Sequence, residues 1–124
     1  MDTAFVEIRE SRADPLRLDE LTVRLYRDLA DRDLRVRRPM GAAPEGAKSG
    51  AVAALGALVV ALGASPVVAA FAEGVFAWLA ARPDRTIKVT RGADSIEISD
   101  PSPEQEQQLI EWLTRHPETR DELS

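Results

Sequence analysis

The chain has 124 residues, a mass of 13.6 kDa and a formal net charge of −5. This length suits one domain and excludes two separate cores joined by a linker. The absence of cysteine excludes disulfides, thiolate metal sites and a cysteine nucleophile. The basic side chains form one tight cluster, Arg35, Arg37 and Arg38, so we do not expect binding to nucleic acid.

The residues at the two ends of the chain predict where the protein is located and where its folded domain ends. The first residues are neither basic nor followed by a long apolar run, so we expect no secretory signal and a cytoplasmic protein. Beyond His116 the residues are polar and begin with Pro117. We therefore predict a single α+β domain over residues 1–116 and a polar tail over residues 117–124.

The first fifty residues predict a strand, a helix, a second strand and a connection. Apolar and polar residues alternate from Phe5 to Arg9, as in a half-buried strand. Asp14 followed by Pro15 is a helix start, and leucines then recur every three or four residues to about Asp31. A short strand over residues 34–38 ends before a proline, and residues 39–50 form a connection rich in glycine and proline.

Residues 51–81 form an apolar segment in which Glu73 is the single charged residue. Gly63 is a helix stop, and Ser65 followed by Pro66 is a helix start, with Ser65 as the N-cap. The pattern thus predicts two Ala-rich helices over residues 51–62 and 66–81. Alanines line one side of the first helix, where another backbone could approach closely. Glu73 lies nearly opposite the apolar face of the second helix, so we expect it at an exposed edge.

The last third of the chain predicts a hairpin and a helix. Residues 86–90 and 95–99 alternate between apolar and polar on either side of a turn that contains Gly92. Ser102 followed three residues later by Gln105 is a capping box for a helix to about Arg115. The order is strand, helix, strand, helix, helix, strand, strand, helix. We predict an α+β fold with about four strands in one sheet and the helices packed on it.

The sequence offers few groups for catalysis. His116, the single histidine, lies at a helix end, where we expect a structural or cationic role. One histidine without cysteine leaves no zinc site. Carboxylate pairs such as Asp31 with Asp33 lie on charged, solvated faces rather than in a pocket that would shift one pKa. We therefore predict no catalytic residue, no metal and no cofactor.

The apolar segment leaves three interpretations open. The first is a membrane span, for which its glycines, Pro66 and many alanines are poorly suited. The second is a buried helical hairpin that backs the sheet. The third is an oligomeric or partner interface, because the two helices are more apolar than a sheet of four strands requires. For that interface we predict Ala53, Ala57, Ala61, Val68, Phe71, Val75 and Trp78.

Several short motifs also resemble a known bacterial family. The motifs are Leu25-Tyr26-Arg27-Asp28-Leu29, Leu58-Val59-Val60-Ala61-Leu62-Gly63, Ala77-Trp78-Leu79 and Ile87-Lys88-Val89-Thr90, followed by Asp100-Pro101 ahead of a Leu-rich helix. In this order the chain resembles the effector-associated constant component family, class one, over residues 4–115.

The resemblance implies an accessory protein encoded beside an effector, often a trypsin-like or caspase-like peptidase. Such pairs would act in conflict or immunity systems of actinobacteria and other multicellular bacteria. The resemblance implies a non-enzymatic role and brings no catalytic residue with it. This chain departs from the family in a shorter, less Pro-rich connection at residues 39–50 and a less basic stretch after Trp78.

Together these observations favour a non-enzymatic interaction component. We expect it to associate with itself, with a peptidase-type effector, or with both, through the apolar helices over residues 51–81. The alternative is a membrane-active component whose segment 50–81 inserts into a bilayer, so that the protein is partly membrane-associated. A small enzyme is a third hypothesis, and it needs a pocket that joins Glu73 to an arginine or to Tyr26.

Overall fold

The computed structural model describes residues 3–39, 56–63, 65–99 and 101–115, which form one five-stranded sheet and three helices. The α+β class predicted from the sequence is confirmed. The elements in chain order are β1 (Thr3–Glu10), α1 (Pro15–Asp31), β2 (Val36–Arg37), β3 (Ala57–Ala61), α2 (Ser65–Ala80), β4 (Arg85–Arg91), β5 (Asp94–Ile98) and α3 (Pro103–Arg115).

Two of the helices begin at caps that the sequence predicts. The Asp14 carboxylate accepts a hydrogen bond from the backbone N–H of Arg17 over 2.8 Å at the start of α1. The Ser102 hydroxyl accepts one from the backbone N–H of Gln105 over 3.1 Å at the start of α3. Each cap satisfies a donor that has no partner within the first helical turn. Helix α2 begins at Ser65, one residue before the predicted position.

The sheet is antiparallel throughout, and its strands lie in the order β2-β3-β1-β4-β5. The N-terminal strand β1 is central, with β3 on one side and β4 on the other. Since β3 and β4 both run antiparallel to β1, helix α2 connects two parallel strands that have β1 between them. Helix α1 likewise connects β1 to β2 across β3. The first six elements thus form a split β-α-β arrangement, which is ferredoxin-like, and β5 and α3 extend it.

The core lies between the sheet and the helices. Alternate residues of β1, Ala4, Val6 and Ile8, face α1 and α2 together with residues of β3, β4 and β5. Helix α2 packs between α1 and α3 and contributes Phe71 and Val75, which are fully buried. All three helices therefore cover the same side of the sheet.

The predicted helix over residues 51–62 is wrong where the structure describes it, because Ala57–Ala61 is strand β3. Residues 51–55 lie outside the described residues. The strand supplies alternate residues to the two sheet faces, and Leu58 and Val60 lie in the core. An apolar run buried on both sides has no period of two, so it resembles a buried helix in sequence. The sheet consequently has five strands rather than the predicted four.

Helices α1 and α2 approach most closely at Gly74. A Cβ atom added to Gly74 would lie 2.6 Å from Cδ2 of Leu29 and 3.2 Å from Nε of Arg32. Leu29 is fully buried in a close-packed core, so a methyl group at Gly74 would require the Leu29 side chain and its neighbours to shift. Glycine at this position therefore sets the distance between the two helices.

Candidate functional site

The predicted interface residues of α2 lie in the core. Val68, Phe71, Val75 and Trp78 are all buried and pack against the sheet and the neighbouring helices. Their burial within a single copy of the chain leaves no exposed side chain for a partner to contact. The apolar face of α2 is thus used by the fold. The second interpretation, a buried helical hairpin that backs the sheet, holds for α2 alone, because Ala57–Ala61 is a strand of the sheet.

The predicted interface residues of the first apolar segment lie elsewhere. Ala57 and Ala61 belong to β3 and point to the side of the sheet opposite the helices. Ala57 is buried and Ala61 is half-buried. Ala53 lies outside the described residues. The structure therefore separates the six described residues of the predicted interface, because the sheet stands between Ala57 and Ala61 on one side and the four α2 residues on the other.

We use the term helix-free face for the sheet surface that none of the three helices in the described residues covers. It is formed by the alternate strand residues Thr3, Phe5, Glu7, Arg9, Arg37, Ala57, Val59, Ala61, Thr86, Lys88, Thr90, Ser95 and Glu97. Its half around β3 is largely apolar, and its half around β4 and β5 is polar. Phe5 is its single aromatic residue among the described strands and is only 7% exposed, so the face offers no stacking platform for bases.

A row of charged side chains crosses the helix-free face. Glu7 of β1 lies directly opposite Lys88 of β4, which lies opposite Glu97 of β5. Burial raises the pKa of Glu7, while the nearby charges of Lys88 and Arg9 lower it in part. Arg9 and Glu97 are exposed at this face. The row therefore presents both signs of charge to a partner rather than one strong field.

A second ionic group is buried at the end of the sheet where β1 finishes. The Glu10 carboxylate accepts hydrogen bonds from Nε of Arg17 over 3.0 Å and from Nε of Arg85 over 3.2 Å. The side chains of Glu10 and Arg85 are 7% and 6% exposed. The hydrogen bond from Arg17, followed by that from Arg85, holds the pKa of Glu10 below its usual value, although burial alone would raise it.

Arg85 also binds the end of α2. Its guanidinium lies over the Trp78 ring, 4.4 Å from the centroid, and Nη1 donates to the Trp78 carbonyl oxygen over 2.9 Å. The same carbonyl oxygen accepts a hydrogen bond from the backbone N–H of Ala81 over 3.3 Å, so the Arg85 guanidinium adds a charged donor at the end of the helix. The Glu10 cluster therefore fixes β1, β4, α1 and α2 to one another.

The described residues contain no group of three or more His, Cys, Asp or Glu side chains that could hold a metal ion. The small-enzyme hypothesis concerned Glu73, which does meet an arginine, since Nη1 of Arg32 donates to its carboxylate over 3.2 Å. That pair lies on the surface, and the side chain of Glu73 is 65% exposed. The expectation that Glu73 lies at an exposed edge is confirmed. His116 lies outside the described residues.

The family model described as Effector Associated Constant Component 1 matches residues 12–113 of this chain. The chain belongs to this family. The match extends from the turn after β1 to the last turn of α3, so it includes four of the five strands and nearly all of the helical layer. No curated protein and no solved structure matches the chain.

The chain is therefore an effector-associated component, as the resemblance implied. Within the described residues of this effector-associated constant component, no helix has the length and apolar character needed to cross a membrane. Sequence reasoning missed that Arg85 and Arg91 are buried. Both arginines alternate in phase with the core residues Ile87 and Val89, and this phase is the signal that could have identified them.

Proposed function

We propose that this effector-associated constant component is a non-enzymatic accessory protein that binds its effector and itself through protein contacts. The observation that carries the proposal is the family match over residues 12–113. By the family resemblance, the effector is a trypsin-like or caspase-like peptidase. The buried ionic groups support a structural role for the polar residues, since Glu10 and Arg85 join elements of the fold rather than line a cavity.

The effector would bind at the helix-free face. Val59 and Ala61 are half-buried aliphatic residues there, and Arg37 is exposed beside them on β2. Arg9 and Glu97 add exposed charges of opposite sign at the other end of the face. An aliphatic centre with charged residues around it matches the composition of protein interfaces, which have a less charged core and a polar rim. Of the predicted interface residues, Ala61 stays in this proposal, whereas Ala57 lies on the same face but is fully buried.

The test is binding of the full chain to the peptidase encoded beside it. The two proteins are produced together, purified through a tag on the peptidase, and their affinity is measured by calorimetry. Arg37→Glu and Arg9→Glu should each weaken the complex at least about tenfold if these charges lie at the rim of the interface. Arg24→Glu, which reverses an exposed charge on α1, is the matched control and should leave the affinity unchanged.

Two results would contradict the proposal. One is the absence of any complex between this chain and its neighbouring peptidase, with both proteins folded by circular dichroism. The other is hydrolysis of a peptide or ester substrate by the purified chain alone. If Arg37→Glu and Arg24→Glu weaken the complex equally, the proposed binding to the peptidase stands. In that case the interface does not lie on the helix-free face.

A further inference from the structure

The outer edge of β5 is a five-residue strand edge with no partner strand among the described residues. Strand β5 (Asp94–Ile98) pairs with β4 on one side and is last in the sheet order. Natural proteins protect such edges with proline, lysine, bulges or very short strands. β5 has no proline and no lysine, and its register with β4 is continuous. The opposite edge strand, β2, has only two residues.

The hairpin register determines which backbone groups of β5 point outward. Arg91 and Asp94 pair across a two-residue turn, Gly92-Ala93, in which Gly92 has a φ of 59°. The closing pair of such a hairpin exchanges hydrogen bonds, and hydrogen-bonded pairs then alternate along the ladder. The backbone groups of Ile96 and Ile98 therefore face β4. Those of Ser95 and Glu97 face away from the sheet.

The core is also incomplete at this edge. Ile96 of β5 and Ile110 of α3 are half-buried residues that pack against the core from its rim. Ile98 lies two residues further along β5 on the same face of the sheet, and it is fully buried. A strand added beside β5 would extend the hydrogen-bonded ladder and would cover Ile96 at the same time.

We propose that the β5 edge pairs with the β5 edge of a second copy of this chain. The two strands would run antiparallel about a two-fold axis at Ile96. Ser95 would then lie opposite Glu97 of the second copy, so that the outward backbone groups of both residues find partners. This inference names the surface for the self-association in the proposed function, and it rests on that function.

The side chains of β5 suit pairing with an identical strand. The axis at Ile96 places an isoleucine opposite an isoleucine on the helix side, where the two cores would become continuous. On the helix-free face it places Ser95 opposite Glu97, so that no two like charges are directly opposed. Lys88 of β4 lies opposite Glu97 within each copy and balances its charge.

The test is the dimer dissociation constant of the full chain, measured by sedimentation equilibrium. Ser95→Glu places a carboxylate opposite Glu97 at two symmetric positions and should weaken the dimer about tenfold. Ser95→Lys places opposite charges there and should strengthen it. Ser95 is exposed, so both variants should fold like the natural chain. Ala30→Glu and Ala30→Lys, at an exposed position on α1, are the matched controls and should leave the constant unchanged.

The outcomes separate this inference from the proposed function. A chain that stays monomeric up to roughly millimolar concentration overturns the β5 pairing. A dimer that responds equally to the Ser95 and Ala30 variants also overturns it. If the chain is monomeric and Ser95→Glu abolishes binding of the peptidase, the edge is occupied by a strand of the effector instead. In that case the proposed binding to the effector stands, and pairing of β5 with a second copy of the chain is excluded.

Discussion

Nη1 of Arg91 donates to the carbonyl oxygen of Leu113 over 2.6 Å and joins the end of β4 to the last turn of α3. Arg85 makes the equivalent bond to Trp78 at the other end of the strand. The two arginines thus bind the C-terminal ends of two different helices from opposite ends of the same strand, both on its helix-facing side. A cation is favourable at both places, because the carbonyl ends of helices carry partial negative charge.

Replacing Arg91 should destabilise the attachment of α3. Arg91→Ala removes a buried donor from Leu113 and leaves a cavity, so we expect the free energy of unfolding to fall by about 2–4 kcal/mol. The measurement is urea denaturation followed by circular dichroism. Arg35→Ala, at an exposed site, should change the free energy by less than about 0.5 kcal/mol. Equal effects of the two substitutions would show that the bond to α3 contributes little.

Through Glu10, the free energy of unfolding should depend on pH in the acidic range. Its pKa is lower in the folded state than in the unfolded chain, so its contribution is present above the unfolded value of 4.5 and is lost as pH falls through the folded pKa. Glu10→Gln leaves Arg85 buried without its carboxylate, and we expect a loss of about 3 kcal/mol at pH 7. The difference from the natural chain should shrink as denaturation is repeated at lower pH. A difference that stays constant down to pH 3 would contradict this.

Glu7 should behave in the opposite way. Burial raises its pKa above the unfolded value, so the folded state is favoured when Glu7 is protonated and loses stability as pH rises through the folded pKa. Glu7→Gln removes a buried charge while keeping its shape. We therefore expect a free energy of unfolding at pH 7 that is unchanged or higher by about 1 kcal/mol. Urea denaturation of Glu7→Gln and of the natural chain at pH 7 tests this expectation. A large loss of stability in the variant would contradict it.

Gly74 should not tolerate a side chain. Alanine is favoured over glycine in helices by about 1 kcal/mol, but its methyl group here would collide with Leu29. We expect Gly74→Ala to lower the free energy of unfolding by about 1–2 kcal/mol, because overpacking outweighs the helical preference. Gly63→Ala is the matched control, since nothing lies within 4 Å of its added Cβ atom. The prediction fails if both variants are equally stable.

The alternative hypothesis, a membrane-active component, can be tested by measuring whether the chain binds to lipid vesicles. Insertion of residues 50–81 would remove β3 and α2 from the core, including Phe71 and Val75, which are fully buried. We therefore expect the chain to stay out of the lipid fraction in flotation with vesicles of phosphatidylglycerol and phosphatidylcholine, with or without its peptidase. Flotation or dye leakage that appears only with the active peptidase would support insertion and contradict this expectation.

Local signals in the sequence predicted most of the elements. Asp14, Ser102 and Gly92 each act over two or three residues, and the helix starts and the hairpin follow from them. Strand β3 was not predictable in this way, because its identity depends on pairing with Phe5 and its neighbours far away in the chain. The apolar run around Val59 has no period of two, since Ala57 on the helix-free face is buried as well as the core residues.

The apolar face of α2 shows what periodicity alone leaves open. Two helices that are more apolar than a four-stranded sheet requires predict an interface that includes Phe71 and Trp78. Both residues are buried by the chain itself, where α2 packs against α1, α3 and β4. Periodicity identifies an apolar face, but it cannot tell whether that face is covered by the same chain or by another one.

The central place of β1 in the sheet has a consequence for the order in which the protein folds during synthesis. β1 is synthesised before both of its neighbours, β3 and β4, and its pairing with β4 extends to Thr90. One edge of β1 therefore has no native partner until β3 has been made, and the other has none until β4 has been made. Contacts between residues so distant in the chain slow folding and prolong the exposure of an apolar strand. The nascent chain is thus most prone to aggregation before β4 emerges.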